Sequence, residues 1–385
     1  MALEQEEGHR LFVLGAGFSA PAGLPTGTEL WREVLRWGSR EEVFTRDLRK
    51  YLQYKRKADG SDIPPEGVDF EDFLGFLDIE HHMELLGSDT WSNDGNKGQV
   101  LVKCLIGEIL SERMPSAIPD LYFGFAGRLQ RTDIVLTFNY DVLLERSLRA
   151  VGVPFRLFPN RYSSWTGDSG VVDEWESREV VVLKLHGSID WFDRAYYTKH
   201  ERLREKQGLT GPPPGFSIFS PVYDYGVQKL LEGEQPPDDP LKSIYRIERI
   251  EALYDEHSLF LTPPCLLTPS TNKLVYSDRY RTFWRGMGGA GLFCLGLAVI
   301  GYSLPPHDSY ARQILYGIVK NYESRFVERE CSILGWRQAP IVLVDRRQGA
   351  AQTEELMHRY RFVDSDRAVV ILDGFSQASL DAIFN

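Results

Sequence analysis

Five short apolar runs constrain this chain more than any other feature: Leu11–Leu14, Ile134–Thr137, Val181–Leu185, Leu297–Gly301 and Ile341–Val344. A strand with one wet face alternates polar and apolar side chains. A continuous run must be covered on both faces, as in a parallel sheet held between two layers of helices. A sixth run, Ala368–Leu372, reads as an edge strand. Each of the five is followed within two residues by Gly, Asn, Ser, His or Asp. In open α/β sheets ligands bind beyond the carboxyl ends of the strands, which is where these polar residues fall. The chain therefore reads as α/β, a doubly wound parallel sheet with a candidate site along one edge.

Helical patterns lie between the runs. Leu30, Trp31, Val34 and Leu35 form one apolar stripe. Leu101, Leu105 and Ile109 form another, flanked by Val102, Ile106 and Leu110. A third helix is expected to start at Asp308 as N-cap and run to Tyr322. Two long segments interrupt the alternation within what reads as a single domain over 1–385. One, 40–131, is mainly helical in pattern, with polar breaks at Asp59–Gly67 and Ser88–Gly98. The other, 194–276, reads as irregular, with loops at Pro212–Gly215 and Glu232–Pro240. The charged stretches Arg46–Lys57 and Lys199–Lys206 read as solvated faces.

Composition bears on what the chain is not. Lys plus Arg is 44 and Asp plus Glu is 55, so the formal charge is 44 − 55 = −11, which excludes a global basic field for nucleic acid while leaving room for a local patch. The four cysteines, Cys104, Cys265, Cys294 and Cys331, form no CxxC pair, so a zinc ribbon is not expected and a reducing compartment is. Met1–Arg10 is acidic and polar, the wrong chemistry for a signal peptide. The nearly uncharged Gly286–Pro306 is too rich in glycine for a membrane helix and contains a strand instead. A soluble, cytoplasmic protein is the expectation.

Four constellations carry chemistry. Gly15-Ala16-Gly17-Phe18-Ser19-Ala20 directly follows the first run; glycines there let the backbone turn sharply and approach a pyrophosphate at a helix N-terminus. The same pattern without a ligand is a plain strand-to-helix turn. In Thr137-Phe138-Asn139-Tyr140-Asp141, an amide and a carboxylate two residues apart can grip a planar carboxamide, or cap the helix Val142–Leu148. In Leu185-His186-Gly187-Ser188, a histidine at a strand end with a permissive glycine beside it suits a general base. Gly301-Tyr302-Ser303 and Asp345 follow the last two runs and can reach ribose or phosphate; a salt bridge from Asp345 to Arg346 or Arg347 is the alternative.

Together, and in this order, the segments resemble the sirtuins. Gly15–Pro25 is similar to their nucleotide loop, Thr137–Asp141 to the TQNID signature, Leu185–Ser188 to the catalytic HGS, Gly301–Leu304 to GTSL, and Val342–Asp345 to the late strand that ends in Asn. The resemblance implies a Rossmann-like, sirtuin-type sheet with a helical lobe. The departures are as informative: the zinc cysteines are missing, Thr26-Gly27-Thr28 replaces Asp-Phe-Arg, and Leu267–Lys273 stands where a peptide-pairing segment is expected. This set resembles the zinc-free sirtuin-like enzymes of bacterial anti-phage systems, which hydrolyse NAD+ to nicotinamide and ADP-ribose in abortive infection, some beside a HerA-type hexameric ATPase.

The resemblance implies an NAD+ hydrolase without a metal. Asn139 would orient the ribose and the attacking water, His186 would act as base, and Asp141 would hold the carboxamide. Gly15, Ala16, Gly17, Ser19, Ala20 and Thr26 would surround the pyrophosphate, with Gly301, Ser303 and Asp345 on the adenosine side. The alternatives are an NAD-dependent protein deacylase or ADP-ribosyltransferase, and a non-catalytic NAD or ADP-ribose sensor. A homo-oligomer docked on the ATPase is expected, any contact with nucleic acid being indirect, through that partner. Trp91, Tyr196, Tyr197, Tyr223 and Tyr225 are candidate interface aromatics.

Overall fold

The computed structural model describes residues 9–85, 95–210, 218–219, 223–256, 262–270, 272–292, 294–324 and 338–384. Thirteen strands are present among them: β1 (His9–Leu14), β2 (Ile134–Thr137), β3 (Phe155–Arg156), β4 (Tyr162–Thr166), β5 (Ser169–Val172), β6 (Val180–Lys184), β7 (Gly187–Asp193), β8 (Val227–Lys229), β9 (Ile244–Ile247), β10 (Pro264–Leu266), β11 (Cys294–Ile300), β12 (Ile341–Val344) and β13 (Ala368–Ile371). Seven form one parallel sheet in the order β13-β12-β11-β1-β2-β6-β3. The α/β reading holds, and all six expected runs are strands of this sheet, with β13 at one edge. The two-residue β3 at the other edge is too short to have been read from pattern.

Register brings the strand ends into line. Leu14 lies beside both Thr137 and Ile300, Thr137 beside Lys184, and Ile300 beside Val344. Gly15, Phe138, Leu185, Gly301 and Asp345 therefore leave the sheet along one edge. Leu11–Leu14, Val135–Leu136 and Ile341–Val344 are buried, so both faces are covered, as continuous apolarity requires. Phe12, for example, meets Phe125 edge-on at 5.5 Å and Phe384 at 5.5 Å.

A second, antiparallel sheet runs β10-β7-β9-β8. The chain crosses from one sheet to the other in a single step, at His186-Gly187. Gly187 has φ +82°, and a Cβ there would stand 1.9 Å from the Cys265 carbonyl oxygen. Only glycine permits this crossing, and it fixes His186 at the junction, where its carbonyl accepts the Leu267 N–H at 2.8 Å. The stretch 194–276 thus contains β8, β9, β10 and the helix Ala195–Lys206.

The helix Lys97–Arg113 differs from its sequence pattern. The two stripes suggested an amphipathic helix, yet residues 98–111 are all buried. It is enclosed by Gly27–Gly38, Glu42–Ala58, Phe70–His82 and Ile250–Glu256, with β7 and β10 also against it. No described helix is long and apolar enough to cross a membrane. Of the expected interface aromatics, Trp91 and the side chain of Tyr196 lie outside the described residues. Tyr197 and Tyr225 are buried inside the lobe and only Tyr223 is exposed, so two of the five do not present themselves to a partner. The three described cysteines are buried and form no disulfide with one another; Cys331 lies outside the described residues.

Candidate functional site

Adjacent strand ends bring three of the motifs into contact. The Asn139 amide donates to the Gly15 carbonyl at 2.9 Å and to the Ser19 hydroxyl at 3.2 Å, while its own N–H is held by Thr137 Oγ1 at 3.1 Å. Ser19 also bonds Asp141. Asp141 in turn accepts the Leu143 N–H at 3.0 Å, at the start of the helix Leu143–Val151. The carboxylate is thus a cap and a strand-end group at once. Burial raises its pKa, opposed by Lys184 and the Leu143 N–H. Lys184, the last residue of β6, is fully buried, bonding Glu145 at 2.8 Å and the Asp141 carbonyl.

His186 lies at the centre of an aromatic and ionic cluster. Phe138 meets its ring edge-on at 4.9 Å and stacks flat on Tyr302 at 4.1 Å. The Tyr310 hydroxyl is 2.7 Å from His186 Nε2. Burial, then the nearby Lys273 charge, hold the His186 pKa well below its ordinary value. Both effects disfavour the charged imidazolium. Burial also keeps Tyr310 a phenol. Asp308 Oδ1 is 3.8 Å from His186 Nε2; the same carboxylate pairs with Lys273 and accepts the Tyr302 hydroxyl at 2.9 Å. Burial lowers the Lys273 pKa while Glu71 and Asp78 pull it up.

Asp308 was expected to cap a helix. It occupies the N-cap position of Ser309–Tyr322, but its side chain makes no capping bond and serves Lys273 and Tyr302 instead. Lys273 and Tyr310 were not singled out in the sequence as chemical groups, and Tyr302 was named only within Gly301-Tyr302-Ser303. Their signals were weak and separate: a lysine in the segment that departs from the family, and two tyrosines beside a strand end and on a helix.

The glycine loop has a structural task. The Gly15 N–H donates to the Ile300 carbonyl at 3.0 Å and the Gly17 N–H to the Gly301 carbonyl at 2.9 Å. Gly301 has φ +64°, and a Cβ on it would lie 2.3 Å from the Gly17 carbonyl carbon. These two amides are engaged within the protein, and the glycines let two loops touch. Ala16 begins the short helix Ala16–Ser19 and Ala20 the 3-10 turn Ala20–Ala22. Thr26 caps the helix Gly27–Gly38, its N–H and hydroxyl each donating to Glu29 at 2.8 Å. The Ser303 carbonyl takes Arg359 at 3.0 Å, and Asp345 pairs with Arg347 at 3.0 Å, the alternative named for it above.

Among the described residues one group, Asp69, Asp72 and His307, brings three metal-ligand side chains within reach of a single ion. Both acids are exposed, and Asp69 already accepts the Glu71 and Asp72 N–H groups at a helix start.

Residues 133–212 match the SIR2-like domain family. That span is roughly a fifth of the chain and contains both the Thr137–Asp141 and the Leu185–Ser188 motifs. No curated protein sequence matches the chain. Similar solved structures include Sir2Tm bound to a propionylated peptide, at 11% identity over 97% of this chain and 91% of that one, TM-score 0.30. Another, from work on the structural basis of sirtuin substrate affinity, is 12% identical over 100% and 98%, TM-score 0.32. Sir2 with an inhibitor, 2′-O-acetyl-ADP-ribose and a deacetylated peptide is 10% identical over 97% and 90%, TM-score 0.33.

Proposed function

We propose that the strand-end site cleaves NAD+ to nicotinamide and ADP-ribose, making the chain an NAD+ glycohydrolase. The observation that carries the reading is the placement of Asn139, Asp141 and His186 at neighbouring strand ends, within the span that matches the SIR2-like family. Nicotinamide leaves as a neutral base, so the protein's work lies in supporting positive charge on the ribose and supplying water. Asn139 orients the ribose and the water. Asp141 faces the carboxamide. Water adds to the ribose carbon as the glycosidic bond breaks, and its proton passes to His186. Ser19, Ala20, Thr26, Gly301, Ser303 and Asp345 border the space for the rest of the dinucleotide. With their amides engaged, Gly15 and Gly17 shape the loop, and Ala16 stands beside them. No metal enters the step.

On the same reading the enzyme is a cytoplasmic NAD+-depleting effector of anti-phage defence, a homo-oligomer that acts with a HerA-type ATPase. A closed resting site supports regulated use: Tyr310 sits on His186 Nε2, and His186, Asn139 and Asp141 are all buried. Substrate requires that this contact open. The test is chromatographic release of nicotinamide and ADP-ribose from NAD+, with and without a HerA-type ATPase. Equal amounts of both products, faster with the partner, are expected. Nicotinamide release that depends on an acylated peptide would make the protein a deacylase instead.

A further inference from the structure

A second region of chemical interest lies away from the strand ends. Lys199, Arg202 and Lys206 occupy one face of the helix Ala195–Lys206, at spacings of three and four residues. They line a groove of about 540 Å³ together with Arg194, Lys242 and Tyr245. No acidic side chain among the described residues lines this groove. Among the described residues none of the five cations has a carboxylate partner. In a chain of net charge −11 this is unusual. Carboxylates are abundant, yet five like charges gather on one concave wall.

Arg194 adds a second observation. Its guanidinium lies 5.4 Å from the Tyr197 ring centre, 5.8 Å from Phe219 and 5.5 Å from Tyr245. Its Nε is buried without a hydrogen-bond partner. The three rings hold an uncompensated charge in place. An adjoining hollow of about 420 Å³ shares Arg194 and Tyr245 and is also lined by Phe219, Tyr223, Asp224, Tyr225 and Val227; Asp224 is paired with Arg249, and Tyr223 and Tyr225 stack at 5.7 Å, with Tyr223 exposed.

We propose that this groove binds single-stranded nucleic acid, the cations tracking its phosphates and the tyrosines offering a face for its bases. The row from Lys199 to Lys206 spans roughly 10 Å at 1.5 Å per residue, enough for more than one phosphate. A duplex does not fit a hollow of this size, and an acidic peptide would make no use of the rings. Cationic grooves with stacking aromatics are the general solution for single strands. The face that the sequence suggested was merely solvated thus acquires a ligand class, and binding would be direct rather than through a partner.

The experiment is fluorescence anisotropy of a labelled oligothymidylate of about twenty nucleotides on the full chain. Salt is varied from about 50 to about 200 mM, and the log–log slope is expected to be about −3.5 for about five phosphate contacts on a single strand. The double variant Lys199→Glu/Arg202→Glu should weaken binding at least about tenfold and flatten the slope. Tyr223→Ala should weaken it by roughly fivefold or more while leaving the slope unchanged. Cross-linking of a thiouridine-bearing strand to residues 194–245 of the unaltered protein gives a readout independent of any variant's folding. Absence of binding at low salt, binding indifferent to charge reversal, cross-links elsewhere, or equal displacement by polyglutamate would each overturn the proposal.

Discussion

The protein handles cations in two opposite ways. At the strand ends Lys184 and Lys273 are buried, each held against a carboxylate within the protein. Along the helix Ala195–Lys206, Lys199, Arg202 and Lys206 line an open groove and have no such partner among the described residues. A buried ion pair seldom adds net stability over apolar packing, but removing one partner is costly because the other charge is stranded. An unpaired surface charge contributes little to folding and is free to meet a ligand. The first arrangement fixes geometry around reacting groups. The second leaves binding capacity unsatisfied.

The comparison is broken most severely through Lys184. Lys184→Ala strands Glu145 and the Asp141 carbonyl, and should cost about 3–5 kcal/mol in urea unfolding. Lys184→Met combined with Glu145→Leu should recover most of it. A cost under about 1 kcal/mol would place Lys184 with the surface cations. Next in size is Tyr310→Ala, which removes the hydroxyl from His186 Nε2. If that contact closes the site, basal NAD+ turnover should rise about tenfold; an unchanged or lower rate would show that Tyr310 supports the imidazole rather than blocking it.

The smallest effect concerns Glu108, an acid within the enclosed helix Lys97–Arg113. Burial, with a contribution from Glu41, pushes its carboxyl from an ordinary 4.5 up to about 7. Between those values the folded chain keeps a proton that the unfolded chain has lost, so stability falls as pH rises through this window. Glu108→Gln should raise the melting temperature by about 2–4 °C at about pH 8 and leave it unchanged near pH 4.5. An equal gain at both values would mean that charge at this position is irrelevant.

The sheet was legible because its runs are covered on both faces and their turn residues follow at once. Asn139, Asp141 and His186 were legible for the same reason, being strand-end neighbours in sequence order. What lay beyond reach depends on distant contacts. His186 meets Tyr310 across 124 positions and Lys273 meets Asp308 across 35, and no local pattern records either. Lys97–Arg113 looked amphipathic because its most apolar residues form stripes, yet the layers around it leave no wet face. Gly15 and Gly17 were read as serving a phosphate; they also meet the 300–302 backbone directly, a contact that a motif alone does not record.

The central claim is that NAD+ is cleaved at these strand ends, with His186 and Asn139 acting on the ribose and the water. The most direct measurement is nicotinamide release by purified, folded His186→Ala and Asn139→Ala variants, their melting temperatures checked against the parent protein. Each should lose activity by about a hundredfold or more while remaining folded. Turnover near the parent rate in a folded His186→Ala variant would contradict the account.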